Sequence, residues 1–180
     1  ASSSTWCSSR SIGSCWSEDA LVWAEAYESF DAQQKEKLFL VAIPHDIRDT
    51  HEVAKIQSLI PWARVIPISG VLVESYRDFD LAFVGGGYKT GLHSIVEPAL
   101  WGLPVACGPL TSAQIECSRL QELGSLSVIE NAQALQDFMK KIFNAPELKK
   151  LQTTALEAKA ALMKDLGATR RLVELLKNLS

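Results

Sequence analysis

Several short apolar runs, each followed by a helical pattern, limit the fold of this chain more than any other feature. KLFLVAIP (37–44), DLAFVGGG (80–87), LPVACGP (103–109) and LSVI (126–129) are continuous rather than alternating. A continuous run of that length marks a strand covered on both faces. RSIGS (10–14) and ARVIPIS (63–69) read as two further short strands. Between them, SEDALVWAEAYESF (17–30), DTHEVAKIQSLI (49–60), VLVESYRDF (71–79), SIVEPALWG (94–102), TSAQIECSRLQELG (111–124) and NAQALQDFMKKIF (131–143) read as helices. In the last of these, Ala132, Leu135, Phe138, Met139, Ile142 and Phe143 share one face. The tail (145–180) reads as two helices broken near Gly167. Ser17 is the expected N-cap of the first helix, with Glu18 and Asp19 in the turn where the helix dipole favours anions.

This alternation predicts an α/β fold: a Rossmann-like parallel sheet with helices on both faces. Such sheets bind ligands at the carboxyl ends of their strands. The segments following Ser14, Ile43, Ile68, Val84 and Ala106 are therefore the places to look for chemistry. A length of 180 residues suits one domain with a real core. Residues 1–10 (ASSSTWCSSR) read as linker and 11–180 as the domain.

Charge and composition exclude some classes. The formal net charge of -3 provides no electrostatic basis for holding nucleic acid. No uncharged apolar run is long enough to cross a bilayer, and the first residues lack the apolar core of a signal peptide. Cys7, Cys15, Cys107 and Cys117 form no C-x-x-C pair and no zinc spacing, so they read as reduced structural thiols of a cytoplasmic protein. His45, Asp46, Arg48 and His51 are poorly spaced for a metal, and none is expected. The basic residues of the tail alternate with acids, as on a solvated helix face.

The chemistry-bearing stretch is FVGGGYKTGLHSIVEPALWGLPVACGP (83–109). Gly85, Gly86 and Gly87 follow a strand, where glycines either let backbone N–H groups approach an anion or simply make a tight turn. Ser94 to Glu97 fits the S-x-x-E capping box, which would tie the Glu97 carboxylate to the helix start. Pro98 favours the first helical position, which would instead put the cap at Glu97 and leave its carboxylate free for a ribose. His93 beside that helix start, and His45 after the strand ending at Pro44, face the same sheet edge.

Taken together, these segments resemble the 3-deoxy-D-manno-octulosonic acid (Kdo) transferases of lipopolysaccharide synthesis. GSCWSEDA resembles that family's G-S-T-W-P-E-D-E, and VAIPHDIRD its strand followed by P-R-H-P-E-R. SGVLVESYRDFDLAFVGGGY resembles its M-G-E-L stretch and A-F-V-G-G-S. GLHSIVEPALWGLPVACGP resembles G-G-H-N-P-L-E-P-A-A-x-G-x-P-V-x-x-G-P. Order and approximate spacing hold from Gly13 to Gly124.

The resemblance implies the C-terminal, donor-binding half of a GT-B glycosyltransferase, with the N-terminal acceptor domain and its catalytic base lying outside this chain. It implies that Pro44, His45, Ser69, Gly70, Val71, Ser94, Ile95, Val96 and Glu97 contact the nucleotide of CMP-Kdo. Gly13, Ser14, Gly85, Gly86, Gly87 and His93 would face its sugar and phosphate. It also implies a metal-independent reaction, a lipid A precursor as acceptor, and a full-length enzyme at the cytoplasmic face of the inner membrane. Where the family has Arg, Glu and Asn, this chain has His45, Val71 and Ser94. Two alternatives follow from those departures: a GT-B domain for a UDP- or GDP-sugar, or a nucleotide-binding domain without catalysis.

Overall fold

The computed structural model describes residues 8–165, apart from 69, 71, 90, 113 and 114. Among them, six parallel strands form one sheet in the order β3-β2-β1-β4-β5-β6. The strands are β1 (Ser8–Cys15), β2 (Leu38–Pro44), β3 (Arg64–Val65), β4 (Leu81–Val84), β5 (Val105–Cys107) and β6 (Leu126–Val128). The strand order reverses between β1 and β4, the switch point near which sheets of this kind bind ligands. This is the doubly wound arrangement that the apolar runs predict.

The helices are α1 (Ser17–Glu28), α2 (Ala32–Lys37), α3 (Thr50–Leu59), α4 (Leu72–Ser75), α5 (Val96–Trp101), α6 (Ile115–Glu122), α7 (Ala132–Phe143) and α8 (Ala145–Asp165). A 3-10 turn, Tyr76–Asp78, continues α4. β4 and β5 are buried on both sides, with side chains alternating along each strand. From β4 and β5, Leu81, Phe83 and Ala106 pack with Trp23, Ile56, Leu135 and Met139 of α1, α3 and α7. Val84, Val105 and Cys107 turn the other way, toward Ile95, Ala99, Leu120 and Ala158.

Several boundaries move. β1 starts at Ser8, so Ser8, Ser9 and Arg10, which read as linker, pair with Leu38, Phe39 and Leu40. The apolar face expected in the 131–143 pattern is the buried one, through Leu135, Phe138, Met139 and Ile142. Helix α2 has no counterpart in the sequence pattern. It starts from an Asp31 cap whose side chain accepts a hydrogen bond from the Gln34 backbone at 2.8 Å. Its residues are all polar or small, so hydrophobic period says nothing about it. Cys15, Cys107 and Cys117 are free and buried, and burial pushes the Cys107 thiol up to about 12. The expected break near Gly167 lies outside the described residues, as does Cys7.

Two glycines show opposite uses of a missing side chain. A Cβ on Gly87 would stand 2.7 Å from the Gly108 Cα and backbone nitrogen, which cannot move aside. Gly70 instead has open space around it but a φ of +80°. Gly87→Ala is therefore expected to cost about 2 kcal/mol or more by overpacking. Gly70→Ala should cost only about 1 kcal/mol of backbone strain. Urea denaturation of both variants checks this; equal losses would contradict it.

Candidate functional site at the carboxyl edge of the sheet

The site begins with how β1 ends. Its register against β2 is irregular between Ile12 and Cys15, and Ser14 adopts a left-handed φ of 54°. That twist turns the chain straight into α1. Two backbone hydrogen bonds then tie the neighbouring strand ends to β1: His45 N–H to the Cys15 carbonyl at 3.0 Å, and Gly85 N–H to the Gly13 carbonyl at 2.8 Å.

Asp19 completes the junction. Its Oδ2 accepts from the Trp16 N–H at 2.9 Å and from the Gly86 N–H at 3.0 Å. One carboxylate oxygen thus holds the start of α1 against the glycine turn after β4. Trp16, not the expected Ser17, occupies the N-cap position. Ser17 is the first helical residue, and its N–H donates to Glu52 Oε1 of α3 at 2.6 Å. The cap falls one residue earlier because Asp19, from within the first turn, reaches back to the Trp16 N–H.

The three glycines follow from this packing. A Cβ on Gly85 would meet the Ser14 carbonyl oxygen and Asp19 Oδ2, and one on Gly86 the Gly91 carbonyl oxygen. All three are buried, and the N–H groups of Gly85 and Gly86 are already bonded inside the protein. Gly85–Gly87 thus form a tight turn, with the Gly85 and Gly86 N–H groups bonded to Gly13 and Asp19.

A cleft of about 520 Å³ opens beside this junction, over the ends of β1, β2 and β3. Ser14, Pro44, His45 and Gly70, all expected at the site, line it together with Ile68 and Leu72. His93 reaches the same place from the β4 side. Its ring stacks on one face of His45 with centroids 4.1 Å apart, and Trp16 stacks on His45 at 4.7 Å. The Trp16 indole N–H points to His93 Nε2 at 3.4 Å. Burial, and then the neighbouring His45, lower the affinity of His93 for a proton. Lys89 lies 4.8 Å above the Trp16 ring and pairs with Glu18 at 3.1 Å.

On the far side of the cleft, Tyr76 packs over Gly13 with Leu72, where a Cβ would meet the phenol oxygen at 2.8 Å. Tyr76 is buried, and burial, followed by the charge of Glu97, raises its pKa. Glu97, on α5, is thus near enough for its charge to act on Tyr76. The capping box expected of Ser94 and Glu97 does not form: Ile95 holds the cap position with no side-chain hydrogen bond. The alternative that Pro98 places the cap at Glu97 also fails, since Pro98 lies deeper in the first turn. Both Ser94 and Glu97 are exposed. Ile95 is fully buried in the core and Val96 half-buried, so Ile95 offers no side chain to a ligand. Gly13 is covered, and Ser69 and Val71 lie outside the described residues.

Sequence reasoning missed Trp16, Tyr76 and Lys89. Trp16 directly follows a strand end, a signal that would have found it. Among the described residues, no three His, Cys, Asp or Glu side chains gather as metal ligands would, and no helix is long and apolar enough to cross a membrane.

No protein-family model matches this sequence, and no curated protein sequence does. Solved structures do match it. The C-terminal CMP-Kdo binding domain of WaaA from Acinetobacter baumannii superposes with a TM-score of 0.70 at 19% identity, covering 86% of this chain and 90% of that one. The chain has the fold of the C-terminal half of a GT-B glycosyltransferase. A Thermobaculum terrenum O-GlcNAc transferase mutant gives a TM-score of 0.66 at 15% identity, over 98% of this chain and 36% of that one. WaaG, a glycosyltransferase involved in lipopolysaccharide biosynthesis, gives 0.62 at 13%, over 86% of this chain and 43% of that one. The chain spans less than half of these last two proteins. The likeness read from the motifs is thus met in the fold of a CMP-Kdo binding domain.

Asp19 makes stability depend on pH. Burial, only partly offset by the two N–H bonds, raises its pKa to about 6. An unfolded Asp titrates near 3.9, so the folded chain binds the proton about a hundredfold more tightly, or by about 3 kcal/mol. That stabilisation is complete below about pH 4 and is lost as pH rises through about 6. His93 has the opposite sign, since its lowered affinity favours the fold as pH rises through the ordinary histidine range. The difference between wild type and Asp19→Asn isolates the first effect: the wild-type advantage should shrink between pH 4 and 6.5 in urea melts. Parallel curves would contradict the assignment.

Proposed function

We propose that this chain is the donor-binding half of a glycosyltransferase, and that its donor is CMP-Kdo, for transfer to a lipid A precursor in lipopolysaccharide synthesis. The observation that carries the reading is the exposed Glu97 carboxylate. It does not cap its own helix, and it lies close enough to Tyr76 for its charge to raise the tyrosine's pKa, although it is not among the residues that line the cleft with Pro44, His45 and Gly70. A carboxylate so placed accepts hydrogen bonds from both hydroxyls of a ribose, while the phosphate lies toward the strand ends. The motif resemblance and the superposition on a CMP-Kdo binding domain support this donor over others.

In this reading the general base and the acceptor site belong to a separate N-terminal domain. The base deprotonates an acceptor hydroxyl, the oxygen attacks the Kdo anomeric carbon, and CMP leaves with the bonding pair. This chain holds the nucleotide and stabilises the charge growing on its phosphate electrostatically, without a metal. Acceptor contact and peripheral membrane association would come through the other domain. The chain alone binds donor and does not transfer sugar.

A second reading, a GT-B half for a UDP- or GDP-sugar, is favoured by one feature: His45 stands where the resembled family has Arg. Calorimetric titration of the chain with CMP, CDP, UMP and UDP separates the two. CMP should bind best, and Glu97→Ala should weaken it about tenfold, the worth of a hydrogen bond to a charged group. Preference for UDP would favour the second reading. Failure of a folded sample to bind any of the four would count against a donor site in this chain.

A further inference from the structure

We propose that Arg48 is the phosphate-binding cation of this cleft and that Asp46 is its resting partner, released when donor binds; this rests on the donor-binding reading above. Among the described residues that line the cleft, Arg48 is the one with a permanent positive charge. The loop after β2 begins with His45, whose charge depends on pH. Arg48 lies three residues further along the same loop and supplies a guanidinium at any pH.

The geometry of the pair suits a switch between partners. Arg48 Nε lies 3.2 Å and its NH2 group 3.4 Å from the two Asp46 carboxylate oxygens, a two-pronged contact. A phosphate presents the same pair of acceptors to the same fork. The contact is solvated, with the Arg48 side chain 88% exposed and Asp46 39% exposed. An exposed pair of this kind contributes little, so exchanging it for a phosphate costs little. Asp46 itself is held in place independently of the guanidinium, because its Oδ1 also accepts from the Arg48 backbone N–H at 2.9 Å. The carboxylate therefore stays at the cleft wall when the side chain leaves. The neighbouring cation, Lys89, is committed elsewhere, to Glu18 and the Trp16 ring.

Asp46 then plays two parts. It keeps the guanidinium near the cleft in the free protein, and it competes with the donor's phosphate for it. Removing its charge should strengthen donor binding, which a purely structural ion pair would not do.

The test is calorimetric titration of CMP into the chain and its variants, with cytidine as the uncharged control. Arg48→Ala should weaken CMP binding about tenfold, the worth of a charge-assisted hydrogen bond, and leave cytidine binding unchanged. Arg48→Lys, which keeps charge but loses the fork, should fall between wild type and Arg48→Ala. Asp46→Asn should tighten CMP about threefold or more, consistent with loss of a weak competing pair. If wild type binds CMP and Arg48→Ala binds it equally well, the phosphate role of Arg48 is overturned and the donor site stands. Weaker CMP binding by Asp46→Asn would overturn it too. If wild type binds no nucleotide, the donor reading fails and takes the Arg48 proposal with it.

Discussion

The carboxyl edge of the sheet depends on one buried carboxylate. Asp19 accepts the Trp16 and Gly86 N–H groups with a single oxygen, and so joins the first turn of α1 to the turn after β4. Strands β1 and β4 flank the point where the strand order reverses. The carboxylate adds a side-chain link across it, beyond the ladder between the two strands. The cost is a carboxylate in a poorly solvated place, seen in its raised pKa. Two N–H donors offset part of that desolvation. The glycines then follow by exclusion: Ser14 and Asp19 already fill the volume that a side chain at Gly85 would need.

Most of the fold was legible because burial leaves a direct mark on sequence. Strands covered on both faces must be apolar throughout, and KLFLVAIP and LPVACGP are nearly so. The amphipathic stripe of α7 was equally plain. Helix α2 left no such mark: it rests on a local cap between Asp31 and Gln34, not on a buried face. Ser8–Arg10 read as linker because serines carry no burial signal, yet parallel pairing with β2 uses only their backbone.

The site was legible in its position and less so in its details. Ser14, Pro44, His45 and Gly70 line one cleft, where the strand ends of this topology put them. Local rules misled where tertiary contacts outweighed them. Ser17 has the side chain of an N-cap, but Asp19 and Glu52 take the backbone N–H groups at this helix start. Ser94 and Glu97 have the spacing of a capping box, but the helix begins at Ile95, whose burial in the core sets where the turn starts. The stacking of Trp16, His45 and His93 joins residues from three separate segments, and no local pattern encodes such a meeting.

The electrostatics of this edge direct where a phosphate can sit. The start of α1, which would ordinarily attract an anion, is filled by the protein's own acids. Glu52 takes the Ser17 N–H, Asp19 takes the Trp16 N–H, and Glu18 holds Lys89. The glycine turn is closed in the same way, with the Gly85 and Gly86 N–H groups bonded to Gly13 and Asp19. An anion placed there would face carboxylates rather than donors. The favourable ground lies on the other side of His45, in the loop after β2, where Arg48 is solvent-exposed and held by a weak partner. Glu97 of α5 does not line the cleft, but its charge reaches Tyr76, which packs with Leu72 over Gly13.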